Sequence, residues 1–422
     1  MGRPTGPIGL TRAFVSWAGL GWAWAGPGWP FLDPGWPIGR LGDINQRDCV
    51  DNTPLVWAAL KGHERVVEML LKRGDADPDK PGEFGQTPLW CAAFGGHEGV
   101  MKMLLERGEV NPDKPDNEGE TPLLEAACNG HEGVAKMLLE RGEVNPDKPD
   151  NQGQTPLFGA AWNGHERVVN MLLERDEVNP DELDKKDRTP LWCATFNGHG
   201  GVAKMLLERD GVNPDKPDNQ GQTPLFGAAW NRHERVVNML LERIEVSPDE
   251  PDKKDRTPLW CATFNGHAGV AKMLFERDEV NPDKPDYKGK TPLFGAARNG
   301  HVSVVKMLLE RDEVIPDRLA NDGLTPLSCA ASNGHAEVVK LLLGRGDVHP
   351  DKPDNNGRTP LRLAAGNGHE EVVKILLEQD AVCPNKPHTD GRAPLWAAAW
   401  NGHLGVVKIL LERDEANPAK PQ

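Results

Sequence analysis

The sequence has no apolar run of about 18 residues, so it encodes no transmembrane helix. It has no Asn-x-Ser/Thr sequon, which favours an intracellular setting. Aromatic residues are few: 13 Trp, 10 Phe and a single Tyr among 422 residues. Length allows roughly two or three ordinary domains. So few large rings, beside 46 Gly and 37 Pro, nonetheless argue against one compact core. That Gly and Pro content is too high for a close-packed α/β enzyme and too low for collagen or a wholly disordered chain. Basic residues are the minority, with 49 Lys and Arg against 64 Asp and Glu and a net charge of −15. Such a balance works against binding nucleic acid or an anionic membrane through the whole surface.

Catalytic signatures are missing too. No Gly-x-x-x-x-Gly-Lys-Ser/Thr loop, dinucleotide fingerprint or Gly-x-Ser-x-Gly elbow occurs, so no enzyme is expected and no cofactor is implied.

What is present is a repeat. Thr-Pro-Leu begins at Thr53, Thr87 and Thr121 and returns at the same interval up to Thr359, and Ala393-Pro394-Leu395 makes the eleventh copy. We number the repeats 1 to 11 from these positions. Thr is a helix N-cap whose hydroxyl accepts an orphan N–H of the first turn. Pro follows where its missing N–H costs nothing. Ala stands at the fifth place after the Thr in every repeat, as at Ala58, Ala92 and Ala126, which makes a thin helix. Gly ends it at the ninth place, broken only by Arg232, and His follows every time from His63 to His403. A second helix has i, i+3, i+4 apolar spacing, as at Val100, Met103 and Leu104 or Val372, Ile375 and Leu376. Pro residues then forbid further helix in segments such as 110–116, and the tip Asp116-Asn117-Glu118-Gly119 reads as a turn into the next Thr.

A turn with two short antiparallel helices cannot bury its own face, whereas a stack of eleven buries a continuous core. The pattern Thr-Pro-Leu-x-x-Ala, Gly-His, Val-Val-x-x-Leu-Leu resembles the ankyrin repeat, over about residues 47–422. The resemblance implies an all-α repeat solenoid whose helix pairs are joined by β-turn fingers. The period is 34 rather than the family's usual 33, and the usual His after Thr-Pro-Leu is absent, with Trp90, Phe158 or Trp192 standing there. The contacts of that His are therefore not carried over. The Asn-Pro-Asp-Lys-Pro-Asp loops look like those of long arrays in filamentous fungi.

Metal and disulfide chemistry fit poorly on such a frame. Of Cys49, Cys91, Cys128, Cys193, Cys261, Cys329 and Cys383, four share one place in the repeat. Neighbours in that series lie about 20–30 Å apart at a repeat step of roughly 10 Å, too far for a disulfide. No Cys-x-x-Cys pair exists for zinc. The thiols are read as small core residues in a reducing compartment. The eleven Gly-His histidines are likewise spaced beyond ligand geometry and read as structural residues at the inter-helix turn. The Asp residues of the loops, such as Asp113 and Asp116, lack calcium-loop spacing and read as turn caps.

Residues 154–188 and 222–256 differ at four places: Gly164/Arg232, Asp176/Ile244, Asn179/Ser247 and Leu183/Pro251. Residues 189–222 and 257–290 are also close. A two-repeat block has been duplicated, which suits a recognition surface better than a catalytic scaffold. At the seventh place after each Thr the type varies widely, and from Phe94 through Trp162, Phe196, Trp230 and Phe264 it is aromatic in five of six repeats. The third and seventh places are i, i+4 neighbours, so Trp192–Phe196 and Trp260–Phe264 are expected to pair. Either these rings fill space above small residues such as Gly159 and Cys193, or they form an exposed ladder on the concave face that takes up a partner. The tips add local charge: Lys185-Lys186-Asp187-Arg188, Lys253-Lys254-Asp255-Arg256 and Tyr287-Lys288-Gly289-Lys290 are basic. The recognition residues expected are the five rings with Lys185, Lys186, Lys253, Lys254 and Tyr287. The partner expected is a protein or peptide, of acidic character, bound to a monomeric array.

Residues 1–46 break the repeat. The first 43 hold ten Gly, six Pro and five Trp, which reads as a low-complexity, disordered segment. A signal peptide ending near Ala23-Trp24-Ala25 and a flap over the first repeat are the other readings. The functional expectation is a non-catalytic interaction scaffold, cytoplasmic, with a nuclear setting as the alternative. A second reading follows from the resemblance: similar fungal arrays often follow a nucleotide-binding NTPase module of NACHT type, which would make this the sensor portion of a longer signalling protein.

Overall fold

The computed structural model describes residues 43–49, 51–389 and 391–415. The expected disorder or leader at the N-terminus lies, up to residue 42, outside them. Among the described residues 22 α-helices follow one another, with no strand. Repeat 1 gives Pro54–Leu60 and Glu64–Lys72, repeat 2 gives Pro88–Gly95 and Glu98–Leu105, and the alternation continues to Pro394–Trp400 and Leu404–Glu415. The chain just before the first helix already packs on repeat 1: Ile44 is buried, and Asn45 donates to the Asp75 carbonyl at 2.6 Å.

Helices this short, such as Pro54–Leu60, are marginal alone, so their ends are fixed by specific bonds. Thr87 Oγ1 accepts from Trp90 N at 3.1 Å, and the same cap recurs in the first ten repeats. Ala393 supplies none in the eleventh. At the other end Gly96 takes φ 70°, a left-handed position, and Arg232 is held at φ 63° where the other copies have Gly.

The histidine of each repeat does more than hold its own turn. It makes no side-chain cap, and its ring reaches into the preceding repeat. His97 Nε2 donates to the Leu60 carbonyl at 3.0 Å, and each later histidine repeats the bond, down to His403 on Gly366. A Cβ on Gly62 would stand 2.5 Å from His97 Nδ1, so the glycine is needed for the ring as well as for the turn.

Small residues on the first helices let neighbouring repeats approach closely. Ala92, Ala93, Ala126 and Ala127 are fully buried. Neighbouring first helices lie closer to one another along the stack than neighbouring second helices do. On the second helix of repeat 2, Val100, Met101 and Leu104 are fully buried while Met103 is only half-buried. The core stripe is therefore rotated by part of a turn from the Val100–Met103–Leu104 face expected from spacing.

The Pro-Asp-Lys-Pro-Asp loops build a second inter-repeat connection. Lys114 Nζ reaches back to the Asp79 carboxylate at 2.8 Å and to its carbonyl at 2.9 Å, and Lys148 does the same to Asp113. In repeats 4 and 6 the lysine is replaced by Glu182 and Glu250. Asp147 and Asp215 then accept only the backbone N–H of Asn179 and Ser247, each at 3.0 Å. Burial pushes the Asp147 carboxyl up to about 6, and the Glu182 charge adds to the rise; Asp215 is raised by the same causes, with Glu250. The other loop aspartate caps the finger, as its turn-capping reading expects: Asp116 Oδ1 accepts from Glu118 N and Glu120 N, both at 2.9 Å.

The cysteines need one correction. Cys91, Cys128, Cys193, Cys261 and Cys329 are buried, but Cys49 and Cys383 are exposed. These two stand in loops outside the helix frame, where no described residue covers them.

Candidate binding surface

The five expected ring positions lie in one row at the C-terminal ends of the first helices. Phe94, Trp162, Phe196, Trp230 and Phe264 are each half-buried. The expected pairs are present: Trp192 and Phe196 stack at 4.8 Å between centroids, as do Trp260 and Phe264. Phe94 stacks on Trp90 at 5.6 Å. Trp162 bridges repeats, at 6.5 Å from Phe158 and 6.3 Å from Phe196. Their inner faces fill space over small residues of the next repeat. A Cβ on Gly227 would meet Phe196 Cδ2 at 3.2 Å, and one on Gly295 would meet Phe264 Cδ2 at 3.2 Å. Each ring thus has a packed inner side and an open outer edge.

The tryptophans divide by their indole N–H. Trp90, Trp192 and Trp260, at the third place after their Thr, are buried and donate to the carbonyls of Glu120, Gln222 and Lys290 at 3.0, 2.8 and 2.9 Å. Trp162 and Trp230, at the seventh place after theirs, find no acceptor among the described residues. A half-buried ring with an unused donor is amphipathic in the manner of interface tryptophans.

Sequence reasoning missed the arginines beside this row. It grouped Arg188 and Arg256 with the basic tips, yet Arg188 is buried, 4% exposed, and Arg256 is nearly so. Arg188 Nε donates to Asp184 Oδ2 at 2.9 Å, and Arg256 pairs with Asp252 in the same way. The guanidinium carbon of Arg188 stands 5.4, 5.5 and 5.7 Å from the ring centroids of Phe158, Trp162 and Trp192. The cation–π contacts fix the rings, and the ion pair neutralises the buried Asp184 carboxylate. The signal available was the pair Asp184/Arg188 returning as Asp252/Arg256, each time between two aromatic repeats.

The lysines behave as expected of tips. Lys185, Lys186, Lys253 and Lys254 are exposed, and Tyr287 is 51% exposed with Lys288 Nζ 5.2 Å from its centroid. Successive fingers are joined by one backbone bond each: Lys185 N to Gln152 O at 2.8 Å, Asn219 N to Lys186 O at 2.9 Å, Lys253 N to Gln220 O at 2.9 Å, Tyr287 N to Lys254 O at 3.1 Å. Lys186 is separated by Asp187 alone from Arg188, the arginine that touches the rings.

These features define a class: an all-α solenoid of stacked helix pairs, with bonded turn fingers along one edge. No helix among the described residues is long and apolar enough to cross a membrane. The chain belongs to the ankyrin repeat family, whose sequence model, ankyrin repeats in three copies, matches residues 38–116, 108–182, 176–252, 244–318, 279–354, 313–386 and 347–421. No curated protein matches it significantly. Ankyrin repeats are in general protein–protein interaction modules, and their arrays are typically non-catalytic.

Proposed function

We propose that this array is a non-catalytic scaffold that binds a protein or peptide segment along the row Phe94, Trp162, Phe196, Trp230 and Phe264, with Lys185, Lys186, Lys253, Lys254 and Tyr287 as its charged rim. The observation that carries the reading is the half-buried row itself. Its rings keep an open edge, and two of its tryptophans keep a free donor, along the row of first helices. Exposed lysines beside the row, in a chain of net charge −15, favour an acidic partner. The five buried cysteines, none of them in a disulfide, fit a reducing, cytoplasmic setting, with the nucleus as the alternative.

The test is differential capture with the full chain and its Trp162→Ala, Trp230→Ala double variant. A species held by the native array and lost by the variant, at unchanged melting temperature, supports the surface, with a loss of about 2 kcal/mol per ring expected at hot spots. Equal capture by both forms removes this row from the function.

A further inference from the structure

The duplicated block carries the same side-chain arrangement twice. Arg256 lies 5.5, 5.6 and 5.8 Å from the ring centroids of Phe226, Trp230 and Trp260, against 5.4, 5.5 and 5.7 Å for Arg188 and its three rings. The stacks match as well, Phe226–Trp230 at 6.4 Å against Phe158–Trp162 at 6.5 Å. The places where the first halves of the two blocks differ are the helix end at 164/232 and the loop positions 176/244, 179/247 and 183/251, none of them a ring, an arginine or a tip lysine of the cassette. A third copy does not follow: where Arg188, Trp192 and Phe196 stand, the block two repeats beyond Arg256 has Leu324, Ser328 and Ser332. The molecule therefore holds two closely similar cassettes, centred on Trp162 and Trp230, with the further stack of Trp162 on Phe196 in the first.

Resting on the proposed recognition row, we infer that the array is bivalent. Its occupant is an extended acidic segment with two apolar side chains at positions i and i+6, one over each of Trp162 and Trp230. The spacing follows from geometry. Two repeat steps of roughly 10 Å set the cassettes about 20 Å apart, and an extended chain advances about 3.3 Å per residue. About six residues span that gap. Because side chains alternate in an extended chain, an even separation is needed to place both anchors on one face. Acidic character follows from the exposed Lys185–Lys186 and Lys253–Lys254 pairs, which recur at the same interval. The free indole N–H of each cassette tryptophan is positioned for a carbonyl or carboxylate oxygen of the bound segment.

The experiment is an array of short Glu/Ser peptides, long enough to cover both cassettes, carrying Phe or Leu once, or twice at separations of three to nine, titrated against the full chain. Single-anchor peptides are expected to bind at two sites per chain. Affinity should peak at a separation of six, on the order of 10²-fold above a single anchor, and fall at five and seven. Trp162→Ala and Trp230→Ala should each abolish the peak and leave one single-anchor site. Lys185→Ala with Lys186→Ala, at exposed positions, should lower the affinity of every peptide that occupies the Trp162 cassette. A flat separation profile, or a peak that survives loss of either tryptophan, overturns bivalency and leaves the recognition row standing. Absence of binding by all peptides, or binding indifferent to both tryptophans, overturns the row and with it this inference.

Discussion

His199 Nε2 donates to the carbonyl oxygen of Trp162 at 3.0 Å, so the repeat frame and the aromatic row share an atom. The same ring stands 2.5 Å from where a Gly164 Cβ would be, at the end of the helix that carries Trp162. Removing it leaves the part-buried carbonyl to the Asn197 Nδ2 donor alone, at 3.1 Å, and a hole behind the turn. His199→Ala is expected to cost about 0.5–1.5 kcal/mol, read as lost hydrogen-exchange protection centred on repeats 4 and 5. Unchanged protection there would mean that the bond contributes nothing to the stacking.

Arg232 holds a left-handed φ of 63° where the other copies of the repeat have glycine. A side chain costs roughly 1–2 kcal/mol in that region. Arg232→Gly should raise the urea midpoint by a corresponding amount with an unchanged m-value, and Gly164→Arg should lower it. Equal midpoints for native and Arg232→Gly chains would refute the strain.

Asp147 gives a pH-dependent signature. Its carboxyl titrates near 6 in the folded chain, against the ordinary 3.8, so folding favours its protonated form. The ionised form therefore weighs against stability above pH 6, and the burden lifts as pH falls from about 6 towards 4. Glu182→Lys should restore the bond that Lys148 makes to Asp113. The variant is expected to melt higher than the native chain at pH 7.5, with the gap narrowing by pH 5. A gap that is constant across this range would show that Asp147 is not the group involved.

The thiols divide sharply by access. Burial pushes Cys91 and Cys329 up to about 12, and Cys193 and Cys261 well above their usual value, so these are inert thiols. A thiol reagent should label only Cys49 and Cys383 at once in the folded chain, and the five buried cysteines only on unfolding. Melting curves with and without reductant should coincide.

The frame was legible because each of its parts is a local rule: Thr before Pro caps a helix, Gly ends it, and Pro stops the second one. The unvarying interval from Thr53 to Thr359 then multiplies one reading along the whole array. What sequence could not place were side chains whose partners lie a whole repeat away. The histidine looked like a turn residue because its acceptor, such as Leu60 for His97, belongs to another repeat. Arg188 looked like a surface charge because it follows Lys185 and Lys186, and only the fold brings Phe158 and Trp162 around it. The row itself was found from its variability, whereas its half-burial depends on how closely Gly227 and Gly295 let the next repeat approach.

The Asp–Lys and Asp–Arg connections also set how the molecule yields under load. They join repeats along the loop edge at Asp79–Lys114, Asp113–Lys148, Asp181–Lys216, Asp249–Lys284, Asp283–Arg318, Asp317–Lys352 and Asp351–Lys386. At Asp147–Glu182 and Asp215–Glu250 attraction gives way to repulsion. The two joints without an ion pair lie between the loops that close repeats 3 and 4 and between those that close repeats 5 and 6. Tension applied through the two ends would concentrate its first displacement there. The loop edge would then open first beside repeats 4 and 6, the two repeats that carry Trp162 and Trp230.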